Sequence, residues 1–215
     1  MIKKLQALKA KKGFTLVELV VVIAIIGVLA AILIPTMIGV VQDANITSAN
    51  STASQIKTQA TTWLTKMDSA KKGLKQGEKI AELTCTVTGG KWAVTGGDAA
   101  SLKFQTGSGT NAEWKGEDKT FNFEAFMSDA LRDLKNASVS ISLKDAAVVG
   151  VLVVDGDSSA KIKALTADDL SNGTYGFSGA KAGLMDDGTI IGSCPQLQKD
   201  ANNNNNNNNN PPANA

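Results

Sequence analysis

The apolar positions change character twice along the chain. From Leu19 to Val41 there are 23 residues without a charge, and apolar side chains occupy every side of a helical wheel rather than one stripe. At about 1.5 Å of rise per residue the run reaches roughly 34 Å, enough to cross the apolar core of a bilayer. A secretory signal peptide has a shorter apolar stretch, about 7–15 residues, closed by a small-x-small site. This run is longer, and no A-x-A closes it. Beyond Val41 the composition turns polar with no helix-breaking signal. Small or apolar residues continue at Ile46, Ala49, Ala53, Ile56, Ala60, Trp63, Met67 and Ala70, in alternating steps of three and four. That spacing is a heptad-like seam. One helix is therefore expected to run to about Met67, its second half laid against a globular head. Lys71, Lys72 and Gly73 supply the stop.

Residues 73–200 change to short runs with strand character. The stretch "LTCTVTGGKWAVTGG" holds two such runs around Gly89-Gly90, a hairpin signal. In "KTFNFEAFMSDALRDLKN", Phe123, Phe126, Met127, Ala130, Leu131 and Leu134 fall on one helical face. The runs "ASVSISL", "AAVVGVLVVDG" and "SAKIKAL" follow and predict an antiparallel meander. A last hairpin is expected from "TYGFSGAK" and "TIIGSCP", around Asp186-Asp187-Gly188. The expected fold class is α+β: a long amino-terminal helix, half apolar and half amphipathic, packed on an antiparallel sheet. Residues 201–215, with asparagine at every position from Asn202 to Asn210, cannot build a core and are expected to be disordered.

Charge sharpens this division. Lys3, Lys4, Lys9, Lys11 and Lys12 precede Gly13, and no acid does. Without them the 22 basic residues fall to 17 against 20 acidic ones, a balance of −3. The body of the chain thus lacks the basic surface of a general nucleic-acid binder. Placed before the apolar run, the five lysines favour an amino terminus on the cytoplasmic side. There is no histidine, which removes the usual near-neutral general base and the commonest metal ligand. No G-x-S-x-G, no GxxxxGK[ST] and no CxxC occurs. The composition therefore points away from an enzyme, and no cofactor or metal is expected.

One residue contradicts the oily segment. Glu18 lies among Leu16, Val17, Leu19 and Val20, where a carboxylate costs about 2.5–3.5 kcal/mol at a membrane centre and less near the interface. It can cap the helix start, where the dipole favours an anion, or it can await a cation from a partner. The stretch "KKGFTLVELVVVIAIIG" resembles the leader and stalk signature of type IV prepilins: a short basic leader ending in glycine, then phenylalanine, then glutamate four residues on. Here these are Gly13, Phe14 and Glu18. The resemblance covers roughly the first 40 residues. It implies cleavage between Gly13 and Phe14 by a prepilin peptidase, methylation of the new Phe14 amine, and charge compensation between that amine and Glu18 during assembly. It also implies the pilin fold. The division becomes a leader at 1–13, a membrane and filament-core half at 14–41, an amphipathic half at 42–72, the head, and the tail.

The resemblance further implies the setting: a cytoplasmic membrane protein before assembly, then an extracellular filament of many copies. Partners would be other copies of the chain, the peptidase, an assembly platform and motor ATPases. Adhesion, surface motility and DNA uptake are all compatible, so a carbohydrate or host surface and nucleic acid stay open as partners. A pseudopilin of a type II-like secretion or competence apparatus would share the same amino terminus. A membrane-anchored, carbohydrate-binding adhesin is a third reading.

Other candidates carry less. Gly27 and Pro35 weaken a helix interior, which membrane helices tolerate; alternatively the stretch between them bends when packed in a filament. Cys85 and Cys194 are a candidate disulfide pair or two small buried thiols. Trp63 fits the seam. Trp92 and Trp114 sit among polar and glycine residues, as core residues or as stacking platforms for a ligand. Asp155, Asp157, Asp186 and Asp187 do not have the spacing of a calcium loop and suit turns. The sequons at Asn45, Asn50, Asn136 and Asn172 are short patterns to which no glycan is assigned.

Overall fold

The structure, a computed structural model, describes residues 14–70, 72–75, 78–98, 102–104, 121–156 and 161–200. Residues 1–13, Trp114, Asp157 and the 201–215 tail lie outside the described residues. The chain divides into an amino-terminal unit ending at Ala44 and a head unit starting at Asn45.

Helix α1 (Leu16–Ser69) is one continuous element of 54 residues. Within the head unit its buried positions are Ile46, Ala53, Ile56, Ala60, Trp63, Leu64 and Met67. This is the seam expected from the sequence, with Leu64 added, Ala49 half-buried and Ala70 exposed. The opposite face is hydroxyl-rich. Thr52, Thr58, Thr61, Thr62, Thr65 and Ser69 each donate to the carbonyl four residues back, at 2.8–3.1 Å. These bonds satisfy the side chains locally and leave the helix intact.

The seam packs on an antiparallel sheet of order β3-β2-β5-β6-β8. Its strands are β2 (Ala81–Thr88), β3 (Lys91–Gly97), β5 (Asn136–Lys144), β6 (Ala147–Asp155) and β8 (Ile191–Cys194). Two-residue strands β1 (Leu74–Lys75) and β4 (Lys103–Phe104) pair antiparallel, and β7 (Thr174–Tyr175) and β9 (Gln198–Lys199) pair parallel. In β2 the apolar residues Leu83, Cys85 and Val87 face the helix while Thr84 and Thr86 face away. That alternation suits a sheet with one strongly apolar face. In contrast, β6 runs Val151-Leu152-Val153-Val154 without a polar break, because it is buried on both faces. Val151 and Val153 join the helix-side core, and Leu152 and Val154 join a second cluster with Leu165, Tyr175, Phe177, Ile191 and Leu197.

Short turns set the registers. Gly89 (φ 60°) and Gly90 (φ 80°) form the β2–β3 turn at the predicted place, since two left-handed central residues match the twist of a tight hairpin. The β5–β6 turn uses Asp145 (φ 50°) and Ala146 (φ 60°) in the same role. Helix α2 (Phe123–Ala130) buries Phe123 and Met127 beside Trp63, with the Trp63 and Phe123 rings edge to face at 5.1 Å. Asn122 caps it, accepting from the Ala125 N–H at 3.0 Å.

Three expectations from the sequence require correction. Helix α2 stops at Ala130, which is exposed, so Leu131 and Leu134 are not on its face. In the run "SAKIKAL" the described residues 161–165 form no strand: the edge of β6 is occupied by β8, and the Lys163 N–H and carbonyl both bond the Tyr175 hydroxyl, at 2.9 and 3.2 Å. The last hairpin is reduced to one bridge, Leu184 to Ile190. Ile191–Cys194 instead pairs with β6, and Thr174–Tyr175 pairs with Gln198–Lys199. Short apolar runs fixed their strand partners through the core, which local pattern does not encode. A short helix, α3 (Ala167–Asn172), begins with a capping box between Thr166 and Asp169.

The helix lies very close to β8. A Cβ added at Gly192 would collide with the Ala49 carbonyl oxygen and carbon, which are backbone and cannot turn aside. Gly192→Ala is therefore expected to lower head stability by about 1–3 kcal/mol through overpacking. Thermal unfolding of the full chain checks this, and an unchanged transition would show that the close approach is not a constraint.

Candidate processing and assembly site

Helix α1 begins because Thr15 and Glu18 close it reciprocally. The Thr15 N–H and Oγ1 donate to Glu18 Oε2 at 2.9 and 2.8 Å, and the Glu18 N–H donates to Thr15 Oγ1 at 3.2 Å. This is a capping box, the threonine preceding the helix and the glutamate reaching back from its third position. The carboxylate also faces the positive end of the helix dipole. Sequence reasoning does not single out Thr15, although the T-x-x-E signal at residues 15–18 is legible there. Phe14 adjoins this cap and is 83% exposed. Gly13, the other half of the expected junction, lies outside the described residues.

The segment behind the cap is apolar and uncovered. Every large hydrophobic side chain exposed among the described residues, from Phe14 to Val41, belongs to this stretch. The helix is long and apolar enough to cross a membrane. Gly27 and Pro35 both lie inside it without ending it. Pro35 has no N–H to offer the carbonyl four residues back. Nearby, the Thr36 hydroxyl donates to the Leu33 carbonyl at 2.8 Å, which satisfies that side chain within the helix.

The remaining candidates are not brought together. Trp92 is not a stacking platform: it is buried, with its ring edge-on to Phe123 at 6.5 Å. The alternation of β3 turns it onto the helix side, opposite to what its polar neighbours suggest. Cys85 and Cys194 are both free. Cys85 pairs in register with Val139, Val139 with Val153, and Val153 with Gly192. Cys194 thus lies three strand spacings away and two residues along, roughly 14 Å or more. A disulfide needs Cα atoms within about 7 Å, so the candidate pairing is not met within this chain. Burial, reinforced by the nearby Glu124 charge, pushes the Cys85 thiol far up from its ordinary range. Asp187 serves a turn, accepting from the Thr189 N–H at 2.9 Å, and its other oxygen takes the Lys161 ammonium at 2.5 Å. Those contacts hold its carboxyl well below the usual carboxylate range. Among the described residues no group of three or more histidine, cysteine, aspartate or glutamate side chains is placed to hold a metal.

Two family descriptions match this chain. "Domain of unknown function (DUF5021)" matches residues 46–198, the greater part of the chain. The chain belongs to this family. "Prokaryotic N-terminal methylation motif" matches residues 8–34, across Gly13, Phe14 and Glu18. The DUF5021 chain is also similar to proteins called "Fimbrial protein". One, from Pseudomonas aeruginosa, is 51% identical over 53 residues, 25% of this chain and 34% of that protein. Another, from Moraxella nonliquefaciens, is 46% identical over 55 residues, 26% of this chain and 36% of that protein. The chain spans about a third of the length of the curated relatives it matches. No solved structure matches. The amino-terminal segment thus carries the methylation motif and is similar to that of fimbrial proteins, and the long helix on an antiparallel five-stranded sheet is a pilin-like arrangement.

The state of the cysteines is directly testable. With denatured, unreduced protein, two thiols are expected to react with a labelling reagent. In the native chain Cys85 should stay unlabelled, since the thiolate is the reactive form and burial opposes it. Fewer than two reactive thiols after denaturation would mean a bridge, necessarily to another molecule if the fold holds.

Proposed function

We propose that this DUF5021 chain is a structural, non-catalytic subunit of a type IV pilus, the major pilin being the role intended. The observation that carries the reading is the joint presence of the methylation motif and a charged residue capped at the head of an uncovered apolar helix. The fimbrial relatives support it over their matched third. Before assembly the helix anchors the chain in the cytoplasmic membrane, single-pass, with the lysine leader inside. A prepilin peptidase cleaves between Gly13 and Phe14 and methylates the new amine. The leader must leave first, because it carries five lysines and keeps the Phe14 nitrogen an uncharged amide.

After cleavage the Phe14 amine is a cation in the same apolar zone as Glu18. Opposite unit charges at about 4 Å attract by about 4 kcal/mol at an effective dielectric of 20. The amine of one copy and Glu18 of another neutralise each other as copies are added by an assembly platform with its motor ATPases. The capping box supplies what this needs of Glu18, since Thr15 holds the carboxylate in one place without neutralising it. Gly27 and Pro35 lend the packed helix its capacity to bend. Filaments so built serve adhesion, surface motility or DNA uptake.

The cap and the charge are separable by experiment. Glu18→Gln keeps an oxygen that accepts from the Thr15 N–H and removes the negative charge. The variant should be processed and reach the membrane normally, yet yield at least about tenfold fewer surface filaments, the factor expected for a loss above 1.4 kcal/mol. Filaments of normal number and length from Glu18→Gln would leave Glu18 a helix cap and end the registration role.

A further inference from the structure

From Gly90 to Val94 on one edge of the five-stranded sheet and from Thr189 to Ser193 on the other, the outward-facing N–H groups have partners, and the partners are not strands. On the β3 edge, every second N–H is taken in order. Gly90 donates to the Lys135 carbonyl at 3.0 Å, Trp92 to Ser128 Oγ at 2.9 Å, and Val94 to Glu124 Oε1 at 2.7 Å. Glu124 and Ser128 are one turn apart on α2, and the Ser128 hydroxyl donates in turn to the Glu124 carbonyl at 2.6 Å. Their spacing therefore matches alternate residues of the strand. Immediately after Val94 the register shifts, with Thr95 as the extra residue of a bulge.

The β8 edge is closed in the same rhythm by different groups. Thr189 donates to Asp187 Oδ1 at 2.9 Å, Ile191 to the Gly183 carbonyl at 2.9 Å, and Ser193 to Asn50 Oδ1 of α1 at 2.8 Å. The next position in that row is Pro195, which has no N–H. An edge strand with unpaired N–H groups is a template for pairing with another chain. This sheet presents no such row from Gly90 to Val94 or from Thr189 to Pro195.

We propose that Glu124, Ser128 and Asn50 are latches that close the sheet edges to strand addition by a second copy. The consequence is a head that can be packed at high local concentration without sheet-to-sheet pairing. Copies then meet through helix and loop surfaces, and opening a latch creates a new edge-to-edge dimer. The inference rests on the fold and does not depend on the proposed function.

The β3 edge gives the direct test. Full-length protein in non-ionic detergent is prepared with Cys194→Ser and the reporter Ala93→Cys, which lies midway between the Trp92 and Val94 amides. In antiparallel edge pairing about that point the two reporter thiols face one another. Glu124→Ala with Ser128→Ala is expected to speed amide exchange at Trp92 and Val94 by about tenfold, the scale of one hydrogen bond. It should also raise reporter-linked dimer by a similar factor over the latched chain under mild oxidation. Fast exchange at both amides without added dimer overturns the proposal, because the edge would be open and still inert. Unchanged exchange overturns it too, because the side chains would not be holding the edge. If the double variant loses its thermal transition, Ser128→Ala alone, which leaves Phe123 and Met127 in place, is read with the same reporter for Trp92 by the same criteria.

Discussion

A run of apolar side chains that the chain leaves uncovered governs the rest of the molecule. From Phe14 to Val41 they stand exposed, all but Phe14 on a continuous helix. At about 25 cal/mol per Å² of apolar surface, leaving even a few such side chains in water costs several kcal/mol. Under the proposed function, lipid or other copies of the same helix cover them. Either cover demands that polar groups along the run be satisfied from within. The capping box at Thr15 and Glu18 and the Thr36 hydroxyl at the proline are both answers to that demand.

The same helix then meets a different requirement. In the head its buried face is narrow, and the residues on it are small where the sheet comes closest: Ala49 lies over Gly192, while Trp63 fills the space beside α2. The hydroxyls of the other face bond their own backbone. So one element is apolar all round and then amphipathic, and it continues as a helix past Pro35. The sheet is asymmetric in a matching way. Strands β2 and β5 carry threonine and serine on the far face, whereas β6 is apolar on both, and the second cluster forms over β6 and β8.

Much of this is legible in the sequence, for reasons specific to each element. The seam from Ile46 to Met67 is readable because period carries its burial directly. The Gly89-Gly90 turn is readable because only glycine enters that conformation easily. The strands from Asn136 and Ala147 are readable as apolar runs of the right length. The misreadings share a cause. The run at 161–165, with Ile162 and Leu165, and the segment around Tyr175 carry enough apolar residues for strands, but the position beside β6 goes to Ile191–Cys194, a contest that only the assembled core decides. Trp92 is open to either reading in the sequence, as a core residue or a stacking platform, because glycine and threonine surround it, and strand alternation buries it. At the amino terminus, the residues of the junction, the acid and the T-x-x-E signal that includes Thr15 are legible as patterns, and the geometry adds the bonds between Thr15 and Glu18.

The central claim is that this helix is released from its lysine leader before it packs with other copies. The mass of the amino-terminal peptide of the mature chain tests that most directly. A peptide beginning at Phe14, heavier by one methyl group on its amine, is the result this account requires. A peptide beginning at Met1 in protein recovered from assembled filaments would contradict it.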